Sequence, residues 1–441
     1  MSTPPPNILF LMSDDHRHDA MACAGDPLAH TPHLDALAAR GMRCTHAHIM
    51  GGHSPAVCVP SRACMNTGCT PFRASESIDG KIGSIPADRP LMGEWFHAAG
   101  YETFHTGKWH LEREACNRSF ETGDAMFMGG MHKHYQTPIH SYDPSGEYPK
   151  ETAQPCVEHS SEVFADAAIR FIERAEHDRP CFVSCCFTAP HDPRNAPPEW
   201  HQRFPASAVT LPENAWPQHP FDNGELMIRD ERLAAHPRDP AEIRQHIADY
   251  QAMIGHMDEQ IGRILAALEA SGLADNTIVV YTADHGLAVG QHGLMGKQNC
   301  YDHSIRIPLI AAGPGINGGQ TWDGMVYGFD VFPTLCAWTG IAPPTDLDGQ
   351  SFAAQGPGRD HIYSVYRNMM ASVSERQWKL IRTYPNPGLP ESRVQLFDRI
   401  ADPLEMNDRA QDPECAAIRK RLEALLLAQQ EAVGDPLLAV C

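Results

Sequence analysis

Two apolar runs in this chain each end in acid. Asn7–Met12 runs into Ser13, Asp14 and Asp15, and Thr277–Thr282 runs into Ala283, Asp284 and His285. On a continuing strand Asp14 and Asp15 would point to opposite faces. At a strand end the chain turns, and both carboxylates can approach one cation. A helix cap or a turn would explain an isolated Asp-Asp pair. Here a third carboxylate ends a second strand and a histidine follows it, so these residues are candidates for one shared metal site. Mostly oxygen donors favour a hard cation such as calcium.

Other reactive residues come in short blocks. Cys58-Val59-Pro60-Ser61-Arg62 precedes Thr67 and Gly68, and Gly107-Lys108-Trp109-His110-Leu111 follows later. Thr188-Ala189-Pro190-His191-Asp192-Pro193 comes directly after the apolar run Phe182–Phe187, and Gln291–Lys297 leads into Tyr301–Ile310. Taken singly, each has a plain explanation. The Cys58 block suits a turn followed by a helix with Pro60 in its first turn. A Gly-Lys turn accounts for Lys108, a buried aromatic for Trp109, and a loop for His191. Zinc is a rival reading for Cys44, His46, His48, His53, Cys58, Cys64 and Cys69, but their spacing fits none of the usual structural zinc patterns.

Taken together and in this order, the blocks closely resemble the type I sulfatases of the alkaline phosphatase superfamily, in their iduronate-2-sulfatase-like and choline-sulfatase-like branch. The resemblance spans Asn7 to the region of Leu396–Asp398 and Asp402–Glu405. It implies that Cys58 is not used as a thiol. A formylglycine-generating enzyme, a partner in maturation, oxidises it to Cα-formylglycine, whose aldehyde hydrate supplies the nucleophilic oxygen. It further implies that Asp14, Asp15, Asp284, His285 and residue 58 ligate the metal. Arg62 would hold the hydrate, Lys108 and Lys297 would bind sulfate, and His110 would partner the nucleophile. His191 would protonate the departing alcohol.

The usual member has Asn where His285 stands, so manganese or another divalent ion is an alternative to calcium. Related phosphonate hydrolases carry an amide at the position of Asp15, and the carboxylate here points to sulfate. The expected activity is release of sulfate from a sulfated sugar, oligosaccharide or related alkyl or aryl sulfate. A phosphonate or phosphate monoester hydrolase on the same scaffold is the alternative. A chain whose Cys58 stayed a thiol would be a silent binding protein.

The elements that must position these residues follow from periodicity. Asn7–Met12, Cys181–Phe187 and Thr277–Thr282 predict fully buried parallel strands, and ligands bind at the carboxyl ends of such strands. Thr31–Gly41 predicts a helix with Thr31 as cap, Pro32 at its start and Gly41 at its stop. Leu91–Ala99, Ser161–Glu176 and Ile243–Ser271 are the next helices. The alternation predicts an α/β fold with a large, mostly parallel, doubly wound sheet flanked by helices. Beyond about residue 345, short strands at 361–367, 370–375, 378–383 and 394–398 and a helix at 413–431 predict a smaller antiparallel sheet with a helix. The expected division is a catalytic domain at 1–345 and a C-terminal subdomain at 346–441.

Residues 112–160 and 190–242 read as long loops, which are usually functional or disordered. They hold His132, His134, Arg194 and Trp200, each a leaving-group contact or a packing residue. His292 reads as a neighbour of the site or a sugar-facing group, and Arg306 as structural.

Composition narrows the partners. The chain has 441 residues, a formal net charge of −20 and 42% hydrophobic residues. Such acidity argues against nucleic acid, which needs a basic footprint. No apolar stretch approaches membrane-spanning length. Met1–Pro6 has no basic segment and Ile8–Met12 is too short for a signal core, so a cytoplasmic protein is expected. Scattered cysteines, including the adjacent pair Cys185 and Cys186, suit reduced core thiols.

Overall fold

Alternation within one strand explains the layering. In β1 (Asn7–Ser13), Ile8, Phe10 and Met12 enter one apolar cluster while Leu9 and Leu11 enter another. A strand buried on both faces belongs inside a sheet covered on both sides. The computed structural model, which describes residues 5–75, 77–78, 81–82, 84–174 and 178–437, places it there. Leu9 lies opposite Val183 on one neighbour and Val279 on the other.

The other principal strands of the amino-terminal three quarters are β2 (Met42–His48), β3 (Gly51–Gly52), β4 (Glu102–Lys108), β5 (Thr122–Phe127), β6 (Cys181–Cys186), β7 (Thr277–Ala283), β8 (Arg306–Ala312) and β9 (Gln320–Tyr327). The large sheet has the order β9-β2-β8-β7-β1-β6-β4-β5. Only β8 runs antiparallel to its neighbours. The fold is therefore the expected mixed α/β architecture with a large, mostly parallel sheet.

Helices cover both faces. The Leu9 face packs against α1 (Pro32–Arg40) and against two helices introduced below, while the Phe10 face packs against α3 (Met92–Ala98) through Met92 and Phe96. Between α1 and α3 lies α2 (Cys58–Thr67), which carries site residues. The Leu9 face is completed by α4 (Ser160–Ile172) and the 31-residue α5 (Pro240–Ala270), and the opposite face by α6 (Val331–Thr339).

Three local expectations change. Thr31 does not cap α1; its hydroxyl donates to Asp35 Oδ1 (3.1 Å) and accepts from the Ala22 N–H. The cap comes instead from α5, where Asp258 accepts from the His33 and Leu34 N–H groups at 3.0 and 2.8 Å. The fourth helix ends at Ile172, and the expected end at Glu176 falls outside the described residues. Residues 112–160 are not only loop, since they include a helix at Arg113–Ser119 and the edge strand β5. Gly123 and Asp124 near the start of β5 hide its strand pattern.

The smaller sheet holds β10 (Ile362–Tyr366), β11 (Met370–Ser374), β12 (Trp378–Thr383) and β13 (Arg393–Asp398), all antiparallel, under α7 (Ala416–Val433). Its fifth strand is the two-residue β3, which pairs parallel to β10. Gly51 is required there: its φ is +82°, and a Cβ would lie 2.1 Å from the Val365 carbonyl oxygen. The described cysteines are all free thiols. Among the described residues no helix is long and apolar enough to cross a membrane.

Candidate functional site

Parallel strands deliver their C-terminal residues to one edge of the sheet. At that edge β1 leads into Asp14 and Asp15, β4 ends in Lys108, and β7 leads into Asp284 and His285. His191 follows β6, and Lys297 arrives on the loop after β7. Cys58 begins α2, with Arg62 one turn on. Pro60 is tolerated there because the first N–H groups of a helix have no internal partner, and Gly68 (φ 67°) stops the helix. All these side chains are buried.

The charges interlock. Lys108 donates to Asp14 Oδ2, and Lys297 donates to Asp15 Oδ1 at 2.7 Å. Arg62 Nε donates to Asp284 Oδ2 (2.9 Å) and its Nη1 to the Lys108 carbonyl (2.8 Å). His285 lies 3.2 Å from Asp15 Oδ1 through Nδ1 and 3.6 Å from Asp284 Oδ1 through Nε2. His191 Nδ1 donates to the Asp192 carbonyl (2.8 Å), which turns Nε2 towards Asp15 Oδ2 at 3.9 Å.

Two of these residues sit in the left-handed region, Asp15 at φ 68° and His110 at φ 59°. Each such conformation costs roughly 1–3 kcal/mol and persists only where neighbours enforce it. The Tyr250 hydroxyl donates to the Asp15 carbonyl (2.6 Å), and the Asp15 N–H donates to Asp284 Oδ1 (3.2 Å). Gly130 leaves room for the His110 ring, since a Cβ would stand 2.4 Å from its Nε2.

Electrostatics at the floor favour negative charge at position 58. Burial would raise the Cys58 thiol, but Lys108 and Lys297, with hydrogen bonds from His110 and His285, hold it well below its ordinary value. The amino end of α2 adds a positive dipole there. Burial and Lys108 together lower His110. Burial and the adjacent Asp14 carboxylate raise Asp284 to about 6, as expected where carboxylates crowd without enough positive charge.

That deficit fits a cation. Ligand atoms of Asp14, Cys58, Asp284 and His285 lie within 4.8 Å of one another, as do those of Asp14, Asp15 and His191. Asp14 Oδ1 and His285 Nε2 are buried with no hydrogen-bond partner. Against the effect of burial, Asp284 and Asp15 raise His285 to about 9, so a metal at Nε2 would take the place of a proton. None of the other residues weighed for zinc joins a metal-competent group among the described residues.

Cys58, His110, His191 and Lys297 open onto a cleft of about 360 Å³. Its walls add residues that sequence reading missed: Glu225, Arg229, Asp230, Gln298 and Tyr366. Acid and guanidinium types within 190–242 were the only signal for three of them. The loop candidates lie elsewhere. His134 bonds Ser160 and the His191 carbonyl, Trp200 packs in the core, Arg194 bonds His246, and His132 is exposed. His292 stacks on Tyr301 and meets the Glu405 carbonyl, and Arg306 pairs with Asp302, both structural contacts.

Known proteins share this arrangement of chain. The family model named Sulfatase matches residues 6–341, and one named N-sulphoglucosamine sulphohydrolase, C-terminal, matches 290–432. An N-acetylglucosamine-6-O-sulfatase of Bacteroides thetaiotaomicron is 27% identical, over 98% of this chain and 88% of its own length. A choline-sulfatase of Rhizobium meliloti is 28% identical over 94% and 84%. A solved structure in complex with its substrate D-glucosamine-2-N,6-O-disulfate superposes with a TM-score of 0.80 at 25% identity, covering 98% and 99%. The phosphonate monoester hydrolase of Agrobacterium radiobacter shares the fold, with a TM-score of 0.74 at 20% identity over 97% and 96%.

Proposed function

Because the chain belongs to the sulfatase family and is a sulfuric ester hydrolase, we propose that it releases sulfate from a sulfated carbohydrate, with Cys58 converted to formylglycine. In this reading Asp14, Asp15, residue 58, Asp284 and His285 hold a divalent cation, calcium by the hardness of the donors or manganese through His285. When bound, that cation and the aldehyde hydrate supply Lewis-acid polarisation and a nucleophilic oxygen at residue 58.

The chain's own side chains do the rest. A sulfate monoester is anionic and resists attack until its charge is neutralised. Lys108 and Lys297 bind its oxygens, and the amino end of α2 adds to their field. Arg62 stays on Asp284 and the Lys108 carbonyl, so the ligand carboxylate and the lysine keep their places. His191, oriented by the Asp192 carbonyl, gives a proton from Nε2 to the departing alkoxide, which a sugar leaving group requires. His110, kept neutral by burial and Lys108, accepts a proton at residue 58.

The observation that carries this reading is the convergence of Cys58, Lys297 and His191 on one cleft, over Lys108 on Asp14 and over the unpartnered Asp14 Oδ1 and His285 Nε2. Its test is anion chromatography on a panel of sulfated sugars, aryl sulfates, choline sulfate and phosphonate monoesters. The enzyme is co-expressed with a formylglycine-generating system, and the mass of the Cys58 peptide reports conversion. Sulfate release from a sugar ester, together with loss of bound metal in Asp14→Asn, is expected. Turnover confined to phosphorus esters would overturn the sulfate reading.

A further inference from the structure

The floor of the cleft takes the sulfate, so its walls must read what the sulfate is attached to. Arg229 stands on one wall. Its Nη1 donates to Asp192 Oδ1 (3.0 Å) and Asp230 Oδ1 (2.9 Å), and its Nη2 to Asp192 Oδ2. Asp192 in turn abuts His191, with Oδ1 3.3 Å from Nδ1. Elsewhere on the wall, Glu225 accepts from Arg367 at Oε1 (3.0 Å) and from the Tyr366 hydroxyl at Oε2 (3.2 Å). Arg367 is held at φ 50° with its N–H donated to the Gly52 carbonyl, so the junction of the two sheets aims this guanidinium.

The charge arithmetic of this wall is informative. Among the described lining residues and the groups bonded to them, Arg229 and Arg367 face Asp192, Asp230 and Glu225. Two guanidiniums and the His191 imidazolium that carries the proton for the leaving group meet three carboxylates, so no cation is spare. A second sulfate or a carboxylate on the substrate would lose water against a wall with nothing to pair it. Hydroxyl groups meet the opposite situation. Guanidinium and carboxylate side by side offer donors and acceptors to neighbouring hydroxyls, and Met131, Ile228 and Tyr366 line the same cleft with apolar surface. The 360 Å³ volume is near the lower end for small-molecule sites, room for one ring and its ester.

Resting on the sulfatase reading above, we propose that Arg229, Asp192, Asp230 and Glu225 form the leaving-group subsite and select a singly sulfated, otherwise uncharged monosaccharide. A second anionic substituent is discriminated against.

The test uses the metal-loaded, formylglycine-bearing enzyme. Sulfate release is measured from hexose and N-acetylhexosamine monosulfates with the ester at each ring position, from the same sugars carrying a further sulfate or carboxylate, and from 4-nitrocatechol sulfate. The best monosulfate should exceed its more anionic counterpart by tenfold or more in kcat/KM. Arg229→Gln should lower kcat/KM for that sugar relative to the aryl ester at least tenfold, mainly through KM. Glu225→Gln frees the Arg367 guanidinium and should narrow the gap between singly and doubly charged sugars at least threefold. Asp230→Asn takes one carboxylate from Arg229 with the same expected effect, and replaces it if the first variant does not fold. Doubly charged sugars turned over as well as singly charged ones, or ratios unmoved in the variants, would overturn the inference and leave the sulfatase reading intact. Absence of sulfate release from every ester, with Cys58 fully converted, would bring down the reading itself and this inference with it.

Discussion

Two buried charge clusters in this molecule are wired differently. At the junction of the two sheets, Asp302 has both oxygens occupied, Oδ1 by Lys379 (2.8 Å) and Oδ2 by Arg399 (2.8 Å) and Arg306 (3.2 Å). Lys379 also reaches Glu405 at 2.7 Å. At the cleft floor, equally buried, Asp14 Oδ1 and His285 Nε2 have no hydrogen-bond partner. At the junction the atoms left without a hydrogen bond are Arg306 Nε, Arg399 Nε and Glu405 Oε1, the last still ion-paired with Lys379. At the floor they are a carboxylate oxygen and an imidazole nitrogen that face the other acids of one metal-competent group. Asp258 gives a third case. It is buried with two backbone N–H groups and no cation, and burial pushes it up to about 7. Burial works against Asp302 and Asp14 too, but nearby cations hold both well below the usual carboxylate range. The partners of a buried acid, rather than its burial, decide its charge.

The contrast can be broken by mutation. Cys58→Ala should cut sulfate release roughly 10⁴-fold or more while the thermal melt stays that of the wild type. Retained turnover would remove residue 58 from the chemistry. Lys297→Ala should lower kcat roughly 10²–10³-fold, the loss typical of one preorganised donor to a developing charge, with near-native circular dichroism. His191→Ala should harm alkyl sulfates more than sulfates of acidic phenols, and equal losses on the two would take it out of the acid role.

At the junction the expected signature is reversed. Lys379→Met leaves Asp302 and Glu405 short of a cation and should cost about 3–5 kcal/mol in urea unfolding. Turnover per folded molecule should stay within a few-fold of wild type. A large loss of kcat in the folded fraction would mean that the two clusters are not separate.

The smallest effect belongs to Asp258. Its folded pKa is raised, so its contribution to stability is fully present below the unfolded carboxylate's value and is lost as pH rises through about 7. The stability of the wild type minus that of Asp258→Asn should therefore fall between about pH 4 and 7. A flat difference would show that the two N–H groups suffice to keep Asp258 ionised.

Much of the fold and the floor of the site were legible in the chain. Unbroken apolar runs such as Asn7–Met12 belong to strands buried on both faces, and the acids that follow them fall at one edge because parallel strands end together. The Cys58, Lys108 and Lys297 blocks carried their chemistry in residue type and order. Asp192 with Arg229, Glu225 with Arg367 and the capping of α1 by Asp258 were not legible. Each joins an ordinary polar residue to a partner far away in sequence, and no local pattern marks the pair.

Residue types and local periodicity thus determined on their own that an α/β sheet would present acids, a cysteine, lysines and histidines at strand ends. The reason is that a strand's or helix's pattern is written within a few neighbouring residues. Tertiary structure alone decided which charges meet. Lys297 reaches Asp15 across 282 residues and Arg62 reaches Asp284 across 222, and a two-residue strand at Gly51 ties the small sheet to the cleft wall. Hydrogen bonds and ion pairs act over a few ångströms of space. Their partners exist only once the sheet has closed.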